Sequence, residues 1–103
     1  RRPAEMQDQV LKFLDLDFNV TEKQLNGVSL TSKESEIVHE LMKTPERIVK
    51  KEYLLKKVWG GESYGEDNYI EVYMSRLRKV LRGLKCHVKI TTVRGLGYKM
   101  VEA

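Results

Sequence analysis

Apolar residues at Ile70, Met74, Leu77 and Leu81 recur at an interval that, at about 100° per residue, stacks them on one side of a helix with Tyr73 and Val80 at the margins. No other stretch constrains the chain as tightly. It predicts a helix from Asn68, read as the cap with Glu71 three residues on, to about Leu84, with Gly83 in its exit. One side of that helix is committed to a core. The other carries Asn68, Val72, Ser75, Arg76 and Lys79. Directly afterwards Val88, Ile90 and Thr92 alternate toward a turn at Gly95 and Gly97, and Tyr98, Met100 and Val101 return as the partner strand. Arg94 falls at the tip of this hairpin.

Charge follows the same division. Residues 68–103 hold eight Lys/Arg against two Asp/Glu, whereas residues 1–67 hold eleven against thirteen, so the chain's net +4 conceals a basic C-terminal third. Such a surplus favours an anionic partner, although basic faces also occur as plain solvated surface. With 103 residues the chain is one small domain able to bury a single core. Cys86 is alone, so an internal disulfide is excluded, and no apolar run approaches the roughly 18 residues of a membrane span. The expected compartment is the reducing cytosol, and the chain reads as a fragment of a longer polypeptide. Enzymatic chemistry finds no footing: His39 and His87 are far apart, no glycine-rich phosphate loop precedes a helix, and one cysteine cannot assemble a usual zinc site. No catalytic residue, metal or cofactor is expected.

Residues 1–8, with Pro3, read as the remnant of a linker, and residues 9–103 as the domain. From Val10 onward Leu11, Phe13, Leu14, Leu16, Phe18, Val20, Leu25, Val28 and Leu30 recur at near-alternating intervals, broken by Asp15, Asn19 and the turn pair Asn26-Gly27. This pattern predicts three or four short antiparallel strands. Thr31 with Glu34 forms a capping box that opens a first helix buried through Ile37, Val38, Leu41 and Met42 and closed by Thr44-Pro45. Ile48 and Val49 suggest a brief strand. Lys51 to Trp59 suggests a second helix with Leu54, Leu55 and Val58 inward. The connection from Gly60 to Asp67 is longer than the three or four residues of a simple helix-turn-helix.

The outward row of the third helix suits a DNA major groove, where a guanidinium reads guanine and an apolar group meets a thymine methyl. Arg76 and Val72, one turn apart, supply one of each, while Ser75, Asn68 and Lys79 add short donors and a cation. Arg94, on a narrow glycine-flanked tip, suits the minor groove. Taken singly, each is equally an ordinary solvated helix face or hairpin. In this order they describe a winged helix.

Leu30-Thr31 with Glu34, Val58-Trp59-Gly60, the run Val72-Tyr73-Met74-Ser75-Arg76-Leu77-Arg78-Lys79 and the closing Thr92-Val93-Arg94-Gly95-Leu96-Gly97-Tyr98 resemble the OmpR/PhoB-type winged-helix domain, the usual C-terminal effector of two-component response regulators. The resemblance spans about residues 9 to 102. It implies an α+β fold: an N-terminal four-stranded antiparallel sheet, three helices and a C-terminal β-hairpin wing. It also implies sequence-specific binding of double-stranded DNA in the regulation of transcription. On that footing Val72, Tyr73 and Arg76 lie against base edges, and Asn68, Ser75 and Arg78 near bases or phosphates. Lys79 adds a cation, Thr92 and Tyr98 meet phosphates, Arg94 enters the minor groove, and Lys51 and Trp59 meet the flanking backbone. Asn68 and Ser75 stand where many members have arginine, and Tyr73 where histidine is frequent, which implies a shallower salt dependence.

The resemblance further implies an N-terminal receiver domain, a tandem dimer on two half-sites about one helical turn apart, and a monomer when the domain is isolated. The segment between the second and third helices is implicated in touching RNA polymerase, which makes Glu62, Tyr64, Glu66 and Asp67 candidates. The alternative is a flexible spacer built on Gly60, Gly61 and Gly65. For the whole chain, the alternative is a winged helix that docks an acidic protein partner.

Overall fold

Alternation in the first thirty residues becomes a four-stranded antiparallel sheet: β1 (Val10–Phe13), β2 (Leu16–Asn19), β3 (Gln24–Leu25) and β4 (Val28–Ser29), in the order β1-β2-β3-β4. The computed structural model describes residues 9–60 and 67–103, and the side chains of residues 67–69 are not among those described. The expected linker, residues 1–8, lies outside them. Pairing runs from Val10↔Asn19 to Phe13↔Leu16, then Phe18↔Leu25 and Leu25↔Val28. Asn26 (φ 48°) and Gly27 (φ 86°) form the two-residue turn, both in the left-handed region that a tight hairpin of matching twist requires. Asn26 also stitches the sheet: its Oδ1 accepts from the Asp17 N–H at 2.7 Å and its Nδ2 donates to the Asp15 carbonyl at 3.2 Å.

Three apolar members of the early run, Leu14, Val20 and Leu30, fall outside the strands. Leu14 sits in the β1–β2 turn with φ 56° and is half exposed. The turn needs two residues off the ladder, and Leu14-Asp15 are the two between Phe13 and Leu16.

Helix α1 (Ser32–Lys43) begins at the capping box: the Thr31 hydroxyl accepts from the Glu34 N–H at 3.2 Å, and Glu34 Oε1 accepts from the Thr31 N–H at 2.9 Å. It ends at Thr44, before Pro45. Its buried stripe of Ile37, Val38, Leu41 and Met42 packs against β1, the two other helices and the C-terminal sheet. Next come β5 (Val49–Lys50), α2 (Lys51–Trp59) and α3 (Asp67–Leu84), followed by β6 (Val88–Val93) and β7 (Gly97–Glu102). Strand β5 pairs with β7 through Val49↔Tyr98 and Lys50↔Gly97, giving a second sheet in the order β5-β7-β6. Ile48, expected with Val49 in the brief strand, is exposed just before it.

The third helix ends at Leu84 as expected, but the residues at its entry and exit differ from expectation. It already includes Asp67 and Asn68, so Asn68 lies within it rather than capping it. At its exit the left-handed residue is Lys85 (φ 57°), and Gly83 remains helical.

Asp15, in the β1–β2 turn, is tied to His87, the residue just before β6. Asp15 accepts from the His87 N–H through both oxygens, at 2.9 and 3.1 Å, and its Oδ2 lies 2.9 Å from His87 Nδ1. The backbone bond first, then the imidazole, hold the Asp15 carboxyl below the ordinary carboxylate value. A depressed folded-state pKa stabilises fully above the unfolded value of about 3.9 and is lost as pH falls through the folded one. Accordingly, the melting-temperature gap between the native chain and Asp15→Asn, read by circular dichroism, is small at pH 6 because the pair is solvent-exposed. It closes by pH 3.

Candidate nucleic-acid interface

Helix α3 divides as its pattern dictates. Ile70, Met74 and Leu77 are fully buried and Leu81 nearly so, whereas Val72 is 47% exposed and Ser75, Arg76 and Lys79 face solvent. A solvent-facing valine on a basic helix face costs apolar exposure with no gain in packing. The helix therefore presents one apolar group and two cations in adjacent turns.

The C-terminal sheet is fastened to this helix at two points. Arg78 Nε donates to the Ile90 carbonyl at 3.1 Å and its Nη2 to Thr92 Oγ1 at 2.7 Å, tying mid-α3 to β6. Nearer the start of α3, the Tyr98 hydroxyl donates to Glu71 Oε2 from β7. The wing turn is fixed separately, because the Lys51 N–H at the start of α2 donates to the Leu96 carbonyl at 2.9 Å. Arg94 sits in that turn, exposed, two residues beyond the clamped Thr92.

At the other side of α3 the rings of Trp59 and Tyr73 lie 5.6 Å apart and are tilted by 58°. Arg76 Cζ is 5.6 Å from the Tyr73 centroid, and Lys33 Nζ is 5.5 Å from that of Trp59. Trp59 and Tyr73 are both half-buried at the edge of the core.

Several expected contact residues are thus brought together: Val72, Tyr73, Ser75, Arg76 and Lys79 on one helix, with Thr92 and Arg94 on the wing bound to it. Thr92 Oγ1 accepts from Arg78, which leaves its own proton free to donate outward. Lys51 and Trp59 stand at the two ends of α2, both half-buried.

Two residues expected at bases or phosphates occupy other positions. Tyr98 is 1% exposed, because β7 alternates and Tyr98 shares the inward side with Met100. Its hydroxyl is directed at Glu71 rather than outward. Arg78 is half-buried, and its guanidinium is engaged by β6. Glu71, expected near the helix cap, is the acceptor for Tyr98 instead. The expected polymerase contacts Glu62, Tyr64 and Glu66, and the side chains of Asp67 and Asn68, lie outside the described residues. Sequence reasoning missed Lys33, which has no local signal, and Leu96, which is 51% exposed beside Arg94. The position of Leu96 between Gly95 and Gly97 was the available clue.

Among the described residues, no group of three or more His, Cys, Asp or Glu could hold a metal ion, and no helix is long and apolar enough to cross a membrane.

A helix with one stripe buried and a basic row outward, clamped to a three-stranded wing sheet behind an N-terminal sheet, defines a winged-helix DNA-binding domain. The model of the family described as "Transcriptional regulatory protein, C terminal" matches residues 24–100. The chain belongs to that family, the OmpR/PhoB-type effector domains of response regulators. It is 37% identical over 89 residues to the transcriptional regulatory protein DltR of Streptococcus agalactiae serotype III (strain NEM316), an alignment covering 86% of this chain and 40% of DltR. Among solved structures it is similar to the DNA binding domain of CpxR from E. coli, with a TM-score of 0.77 and 28% identity over 92% of this chain and 98% of that one. It is likewise similar to the Klebsiella pneumoniae RstA DNA-binding domain in complex with RstA box, with a TM-score of 0.72 and 27% identity over 90% and 97% of the two chains. The chain thus spans two fifths of the length of the curated relative.

Proposed function

We propose that the chain reads double-stranded DNA sequence-specifically, with α3 in the major groove and Arg94 in the minor groove, as the effector end of a two-component response regulator acting in the cytoplasm. The carrying observation is the division of α3: Ile70, Met74, Leu77 and Leu81 are inside while Val72, Ser75, Arg76 and Lys79 are outside. Arg76 and Val72 select bases, and Lys79, Ser75 and Thr92 hold phosphates. Lys51 and Trp59 flank them on the backbone. Arg78 and Tyr98 position the wing and do not touch DNA. A complex of the RstA domain with its box supports this reading. In the whole protein a receiver domain sets occupancy through phosphorylation, two copies sit in tandem on half-sites about one helical turn apart, and the 60–67 connection meets RNA polymerase.

The test is fluorescence anisotropy on a duplex selected by this protein from a random-sequence pool, against a scrambled duplex, across a salt series. Selected DNA binds more tightly, and log affinity falls with log salt by about 0.9 per phosphate neutralised. Arg76→Ala lowers the preference for the selected duplex about tenfold, the worth of one bidentate guanine contact. Arg94→Ala weakens both duplexes and makes the salt slope shallower. Equal affinity for the two duplexes would remove base reading, and a flat salt response would remove phosphate contact.

A further inference from the structure

Four side chains from three helices form one continuous stack at the start of the reading face. Lys33, in the first turn of α1, donates from Nζ to the Val58 carbonyl at 2.7 Å and lies 5.5 Å from the Trp59 centroid. Trp59, the last residue of α2, meets Tyr73 of α3 with ring centroids 5.6 Å apart. Tyr73 in turn carries the Arg76 guanidinium at 5.6 Å. Both cation distances fall within the roughly 6 Å over which an aromatic face attracts a positive charge. The tilted ring pair is at a favourable aromatic separation. Among the described residues Arg76 has no hydrogen-bond or ion-pair partner, so the Tyr73 ring is what orients its guanidinium.

An exposed arginine has several rotatable bonds to freeze before it can present two donors to one base, and that entropy is charged against recognition. A ring already under the guanidinium removes part of the cost. The ring is itself held from behind: Tyr73 is half-buried against Trp59, and Trp59 is fixed where α2 ends because Lys33 engages one of that helix's final carbonyls, which lack an intrahelical donor.

We propose that Tyr73 is a specificity-determining positioning residue that acts through Arg76, and that Lys33, through Trp59, is the remote anchor of the same unit. This rests on the DNA-reading function above. Tyr73 then contributes to the choice of one base rather than to general affinity, and α1, which supplies no base contact, influences that choice.

The experiment has two readouts. In the protein without DNA, the Arg76 Nε–H proton resonance is displaced by the ring current of Tyr73, and the displacement disappears in Tyr73→Leu. An undisplaced resonance overturns the stack irrespective of what DNA does. With DNA, the duplex selected from a random pool is varied one base pair at a time, and the position flattened by Arg76→Ala is identified. Tyr73→Leu lowers the preference at that same position about fivefold, Lys33→Met about twofold, and Tyr73→Phe restores it. Combined with Arg76→Ala, Tyr73→Leu has no further effect on that preference. Additive losses would show an independent base contact and an equal loss across all sequences a phosphate contact, and either would overturn the proposal while leaving DNA reading intact. Failure to select any sequence would overturn both. Circular dichroism melts of Tyr73→Leu and Tyr73→Phe establish that each is folded.

Discussion

Gly97→Ala is expected to cost about 3 kcal/mol, the upper part of the range for forcing extra atoms into packed structure, and so to lower the melting temperature by roughly 15 °C. A Cβ on Gly97 would run into the Val49 carbonyl oxygen and lie 2.8 Å from both Lys50 Cα and Lys51 N. All three obstacles are backbone, so no rotamer change relieves them. The torsion of Gly97 is not in the left-handed region; the demand is for space where β7 passes β5 at Lys50↔Gly97. Relief requires β5 and β7 to separate. That separation also pulls the Leu96 carbonyl from the Lys51 N–H and releases the turn that carries Arg94. Thermal denaturation measures the stability loss, and amide exchange shows it concentrated at Val49, Lys50 and Tyr98. A melting temperature within a few degrees of the native chain would mean that the two strands do not touch as described.

Glycine at this position also shows what kind of information the sequence carries. From sequence, Gly95 and Gly97 read as two corners of one turn, yet only Gly95 is in it; Gly97 is a strand residue kept small by a neighbour 47 positions earlier in the chain. Local patterns were legible because their physics is local. The Thr31–Glu34 box, the Asn26-Gly27 turn and the Ile70-Met74-Leu77-Leu81 stripe each involve residues within a few positions of one another. The outward row of α3 followed from the same stripe. What was not legible depended on which distant element came to lie alongside. Tyr98 illustrates this: the resemblance of the wing motif pointed it to phosphates, whereas the packing of β7 against the core buries its ring on the side of Met100. Lys33 lies 40 residues from Tyr73, and nothing in either stretch signals the other. Ile48 and Val49 are interchangeable in composition, and only the two-residue pairing with β7 puts Val49 inside.

Arg78 is the position where sequence and structure assign different work to one residue, and Arg78→Ala separates them with an expected loss of about 2 kcal/mol of stability. Its guanidinium spans alternate residues of β6, reaching the Ile90 carbonyl through Nε and Thr92 Oγ1 through Nη2. Strand β6 is the edge of the β5-β7-β6 sheet, so on the side facing α3 that carbonyl has no neighbouring strand to satisfy it. Hydrogen bonds from a charged donor are worth about 1.5–3 kcal/mol, and half-burial of the arginine puts this pair in the middle of that range. Arg78→Lys recovers less than half, since a single ammonium on a flexible stem does not reproduce the planar two-donor fork. Urea denaturation should show a lower midpoint with an unchanged slope, the mark of lost stability without a change in the surface exposed. On DNA, Arg78→Ala weakens selected and scrambled duplexes alike, because a loosened wing carries Thr92 and Arg94 with it, and the accompanying loss of stability is what separates this role from a direct phosphate contact. Were Arg78 instead a phosphate contact, stability would be untouched and the slope would fall by about one unit.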